Sequence, residues 1–225
     1  MKKYIGMFII AAVCGSSVAD VVTTATFTGR GLVPVFGDAT DAFQNATITG
    51  STALHPATPY AEAVFTGNSE VGSENPADLL FADQTTEWVP AVEFSIASPI
   101  QLGNIKILLN NDGGDGPVYS RTTVGAWVFA SNTPGFLEAD KIAEVFYDGN
   151  YSNLTGGDHG MEVSIDFTTA PVAQYYRVAF YAGDPAVGAR VIEIDGYEAI
   201  PEPATLGLVA LFGGGVLWIR RTFMI

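Results

Sequence analysis

Catalysis needs a nucleophile, an acid or a base held within reach of a partner, and this sequence offers few such sets. Its 2 histidines stand apart, His55 beside Pro56 and His159 in a glycine loop. The sequence holds no Gly-x-Ser-x-Gly elbow, His-Glu-x-x-His helix or phosphate-binding glycine loop. With 24 Asp+Glu, carboxylate pairs are abundant and their spacing carries no acid–base signal. The oxygen-rich run from Asn110 to Gly116 is tempting as a cation loop. Gly113 and Gly114 fall where side-chain ligands belong, however, and Arg121 falls where a bidentate Glu would stand, so it reads as a turn. Aromatic faces suit the C–H patches of sugar rings, and Trp88, Trp127, Tyr119, Tyr147 and Tyr151 are of that type. Tyr119 and Tyr151 fall in predicted loops and are the ligand-binding candidates, whereas Trp127 sits in an apolar strand and is expected to pack. Thr24, Thr26 and Thr28 alternate along one strand, which is too small an array to order an ice plane.

The elements that must position these residues are strands. Val92, Phe94 and Ile96 alternate with Glu93 and Ser95, and Val163, Ile165 and Phe167 with Glu162, Ser164 and Asp166. Tyr176, Val178 and Phe180 interleave with Tyr175, Arg177 and Ala179, and Ile192 and Ile194 flank Glu193. Further strands are expected near 22–28, 46–50, 104–109, 123–130 and 142–147, separated by turn formers such as Gly67-Asn68 and Asp148-Gly149-Asn150. Many short strands without a competing helix period predict an all-β antiparallel jelly-roll sandwich over 45–200, preceded by an N-terminal strand extension over 20–44.

The ends of the chain read as addresses. Met1-Lys2-Lys3, an apolar run to Gly15, and small residues at Ser17 and Ala19 make a signal peptide over 1–19, with cleavage between Ala19 and Asp20. The single Cys, Cys14, falls in the removed segment, which leaves neither a disulfide framework nor a thiolate zinc site. At the other end stand Pro201-Glu202-Pro203, then uncharged Ala204 to Ile219, then Arg220-Arg221. As a transmembrane helix, 204–219 spans about 24 Å, short of a hydrocarbon core of roughly 30 Å, and the Arg pair would face the cytoplasm. Of 10 Lys+Arg and 24 Asp+Glu, 6 and 23 lie in residues 20–200, so that part carries −17, against −14 for the whole chain. Such a charge argues against nucleic acid as a partner and favours divalent cations or cationic surfaces.

Pro-Glu-Pro, an apolar helix and an Arg pair at the C-terminus resemble the PEP-CTERM sorting signal of Gram-negative bacteria, over residues 201–225. The resemblance implies export across the inner membrane and signal peptidase and exosortase as processing partners. It further implies transient anchoring, then residence on the cell surface or in the extracellular matrix of a biofilm. The region from about Asn45 to Ile200 is similar to the discoidin, or factor V/VIII type C, family of galactose-binding-like domains. That similarity rests on the loop Asn75 to Trp88 with its Thr86-Glu87-Trp88, the strands around Val92–Ile96 and Ile105–Ile107, Tyr175-Tyr176-Arg177-Val178, and Val191 to Tyr197. Many members hold one structural Ca²⁺, and by position Asp83, Thr86 and Glu193 would be its ligands here. The family's usual Asp-Gly falls on Phe81-Ala82. The combined reading is a non-catalytic exported module that binds extracellular polysaccharide or another surface ligand. The alternatives are a purely structural or adhesive matrix protein without a sugar pocket, and a secreted hydrolase.

Overall fold

The computed structural model describes residues 23–30, 40–56, 58, 61–65, 79–82, 89–110, 123–147, 160–182 and 188–199. Among them are nine strands: β1 (Thr23–Arg30), β2 (Thr47–Ser51), β3 (Leu79–Leu80), β4 (Ala91–Asn110), β5 (Thr123–Ser131), β6 (Lys141–Phe146), β7 (Gly160–Phe167), β8 (Val172–Ala182) and β9 (Arg190–Glu198). Every strand pairing is antiparallel. The first sheet runs β1-β7-β4-β9-β3 and the second β2-β4-β8-β5-β6. No helix among the described residues is long and apolar enough to cross a membrane. The signal segment 1–19 and the sorting segment 201–225 lie outside the described residues.

Strand β4 belongs to both sheets. Ala91–Ser95 pair with β8 in the second sheet, and Asn104–Asn110 pair with β7 and β9 in the first. The register with β8 shifts between Ser95 and Ile100, across exposed Ala97, Ser98 and Pro99. Pro99 has no N–H to donate, so the ladder is interrupted there and the strand can turn the corner between sheets.

Alternation then decides what lies between the sheets. Phe94, Ile105, Ile107, Leu109, Val163, Ile165, Tyr176, Val178, Phe180, Val191 and Ile194 form one continuous core. Their neighbours in β4, β7 and β8 point away from the core, as period-two strands require, whereas in β9 a register shift opposite Leu108 and Leu109 puts Val191 and Ile194 on one face three residues apart.

A clasp over residues 40–46 fastens the chain before β2 to β9. The Oδ1 of buried Asp41 accepts the backbone N–H of Phe43 at 2.9 Å and of Gly196 at 2.8 Å. The Ala42 N–H donates to the Gly196 carbonyl at 2.7 Å. Phe43 then enters the core, its ring 5.0 Å from Phe94 and 4.8 Å from Tyr176. Residue 196 must be glycine, because a Cβ there would come within 2.6 Å of the Phe43 ring. Asn45 closes the turn at φ 64°, a left-handed conformation that Asn tolerates better than most residues.

Candidate functional site

The two ends of the sandwich differ. At one end, 132–140 and 168–171 join their strands by short described turns. At the other, Arg30, Asn110 and Arg190 lie in register around Gly160 and Asn110, and Thr123 lies opposite Ala182. The connections 111–122, 148–159 and 183–187 therefore leave from and return to this end, whereas 31–39 leaves from it and ends near Asp41, which bridges Tyr197 at the opposite end of β9. Those connections contain Tyr119 and Tyr151, which lie outside the described residues, as do Asp83 and Thr86.

The described rim of that end is aromatic. Tyr147 lies 5.3 Å from Phe27, and Phe146 meets Tyr181 edge-on at 5.4 Å. Thr123 is buried and its hydroxyl has no hydrogen-bond partner.

Glu193, the one expected calcium ligand among the described residues, is 1% exposed in β9, where it faces Leu108. Ala82, the residue before Asp83, lies against Gly188, where a Cβ would sit 2.8 Å from the Ala82 carbonyl. Glu193 is five residues further along, roughly 16 Å at strand rise. A single ion held by Asp83, Thr86 and Glu193 therefore needs the loop after Ala82 to run back along β9. The Phe81 side chain is fully buried in the core and has no ligand atom to offer such a site. No group of three or more His, Cys, Asp or Glu among the described residues is placed to hold a metal ion.

The outward face of the first sheet is polar apart from a buried Leu108–Ile192 pair. Thr24, Thr26 and Thr28 stand opposite Asp166, Ser164 and Glu162, so the threonines border a mixed charged face rather than a flat hydroxyl plane. Asn104 donates to Ser164 Oγ at 3.0 Å and to Asp166 Oδ1 at 2.7 Å. Lys106 sits 5.0 Å from the Tyr197 ring centroid.

The outward face of the second sheet is aromatic and carries charges of both signs. Trp127 does pack, but outside the main core, against a separate cluster of Ala91, Phe129 and Ala179, with Val89 and Phe136 beside it. Ala126 and Val128 point inward while Trp127 and Phe129 point outward. Four apolar residues in a row hid that division from a reading of the sequence. The Lys141 ammonium lies 5.4 Å from the Trp127 ring and 2.7 Å from Glu144 Oε2, and it also pairs with Glu138. Burial alone would lower its pKa, but the hydrogen bonds and charges of Glu138 and Glu144 outweigh burial and raise it. The Arg177 guanidinium lies 5.5 Å from the Phe129 ring.

No family model and no curated protein sequence matches the chain. Among solved structures, the chain is similar to a fucolectin from striped bass (Morone saxatilis) serum, with TM-score 0.52 and 16% identity. That match covers 72% of this chain and 50% of the lectin. It is also similar to a family 32 carbohydrate-binding module from a family 31 glycoside hydrolase of Clostridium perfringens, with TM-score 0.51 and 13% identity over 70% of this chain and 94% of that one. The lectin domain of lectinolysin, complexed with Lewis B antigen, gives TM-score 0.49 and 16% identity over 73% and 100%. At these identities the likeness is one of fold. The chain is an all-β antiparallel sandwich, consistent with the galactose-binding-like fold.

Proposed function

We propose that this protein is a non-catalytic glycan-binding module that works outside the cytoplasm. The carrying observation is the fold likeness to a fucolectin and a carbohydrate-binding module, joined to an architecture in which three connections begin and end at one end of the sandwich. Tyr119 and Tyr151 are the proposed stacking residues in those connections. A glycan array probed with the full chain tests this, and binding to no sugar at all would overturn it in favour of a purely structural matrix role. The sorting proposal rests on the sequence of 201–225. It expects an exported species lacking Arg220 and Arg221, and an intact mass that retains them would contradict it. The calcium proposal, with Asp83, Thr86 and Glu193 as ligands, also rests on sequence and is tested by stability below.

A further inference from the structure

We propose that the outward face of the second sheet holds a second binding site, specific for a carboxylate-bearing sugar ring and centred on Arg177. The site is distinct from the loop-bearing end and does not depend on it.

Three rows of that face decide the chemistry. Phe129, Arg177 and Glu93 lie side by side across β5, β8 and β4, and Trp127, Ala179 and Ala91 form the next row. Ser131, Tyr175 and Ser95 form the row on the other side. Arg177 and Trp127 are thus diagonal neighbours, about 7–8 Å apart at the backbone. The small side chains of Ala179 and Ala91 lie beside them. Phe129 supports the guanidinium from below, and half-buried Tyr175 flanks it on β8.

This guanidinium is positioned but not consumed. Its charged neighbour Glu93 reaches no closer than 3.9 Å, longer than a hydrogen bond. Its Nε is buried and has no acceptor. The indole Nε1 of Trp127, on the same face, is likewise a buried donor with no acceptor. Buried donors are nearly always satisfied, and each one left alone costs about 1–3 kcal/mol. One of them within the guanidinium of Arg177, whose side chain is 35% exposed, and the other on the neighbouring indole mark a place for a group rich in acceptor oxygens.

A carboxylate matches best. It offers two coplanar oxygens to the planar fork of an Arg, and charge-assisted bonds of that kind are roughly twice as strong as neutral ones. A ring hydroxyl on the same sugar would accept from Trp127. The other cation on this face among the described residues, Lys141, is already held by Glu138 and Glu144. One guanidinium fits one carboxylate-bearing ring at a time, whatever the length of the polymer that carries it. An acidic peptide is a poorer occupant. Arg177 sits on β8, which is paired on both sides by β4 and β5, so no strand edge is open there for backbone pairing. The chain's overall negative charge opposes approach over long distances, but at physiological salt it is screened beyond about 8 Å.

The test is native affinity electrophoresis of the full-length protein in gels containing sodium alginate, a neutral galactan or poly-glutamate. We expect retardation by alginate, at least tenfold weaker for Arg177→Met and severalfold weaker for Trp127→Phe, which keeps the ring and loses only the donor. Melting curves of both variants within a few degrees of the parent establish that they fold. Lys106→Met, which removes a positive charge from the outward face of the first sheet, should leave alginate binding intact, so a loss in Arg177→Met is not a general effect of charge. No retardation of the parent by alginate, undiminished retardation of Arg177→Met, or equal retardation by poly-glutamate would each overturn the assignment.

Discussion

Single side chains fix this sandwich at points where a strand pattern alone would leave freedom. Asp41 is one such point, because two buried backbone N–H groups from different segments converge on one carboxylate oxygen. Replacing it with alanine orphans both donors. The expected cost is about 2–4 kcal/mol, or roughly 5–15 °C in Tm, with Asp41→Asn milder because an acceptor remains. Tyr176 is another. Its hydroxyl donates to the Ala173 carbonyl at 3.1 Å deep in the core, and burial raises its pKa above the ordinary tyrosine range. A phenol whose folded pKa is raised contributes stability fully below its unfolded pKa of about 10, and that contribution is lost as pH rises beyond it. Denaturant melts between pH 8 and 11 should show falling stability that is blunted in Tyr176→Phe. An unchanged pH profile in the variant would remove Tyr176 as the cause.

Elements show which parts of the fold were legible in the sequence. The strands around 92–96, 162–167 and 175–180 alternate cleanly, and each lies where the pattern predicts. Strand β4 was less legible, because Pro99 reads as a break between two strands and instead marks one strand crossing between sheets. Strand β3 has two residues, too few for any period to register. The clasp over 40–46 was invisible, because its reason for existing is the glycine hole opposite Phe43, which is more than 150 residues away in sequence. Of the candidate site residues, Glu193 could be placed on a strand, but its burial could not be read from alternation in so apolar a strand. The clasp also makes a sharp prediction. Phe43→Ala removes a ring that packs on Phe94 and Tyr176, and should cost about 3–5 kcal/mol. Amide exchange at Ala42, whose N–H is bonded to Gly196, should accelerate more than exchange at Val178 in the centre of the second sheet. Equal acceleration at both would mean that the clasp has no local stability of its own.

At the scale of the whole molecule, charge sets what added ions can do. Residues 20–200 carry −17, while the described ion pairs are few and lie on one sheet face. Self-repulsion therefore opposes compaction, and salt relieves it as the screening length falls from about 30 Å at 0.01 M to about 8 Å at 0.15 M. Tm should rise by a few degrees over that range in NaCl. Calcium would relieve the same repulsion without any site, so CaCl₂, MgCl₂ and NaCl must be compared at matched ionic strength. A site that binds only the folded chain adds about 2.7 kcal/mol at a hundred times its Kd, or roughly 5–10 °C for a domain of this size. A carboxylate as buried as Glu193 would respond to an ion that reaches it, and Glu193→Gln should then erase the calcium-specific part alone. Coincident melting curves in the three salts would leave screening as the whole effect and dispose of the calcium proposal, while the proposed glycan sites would stand or fall on their own tests.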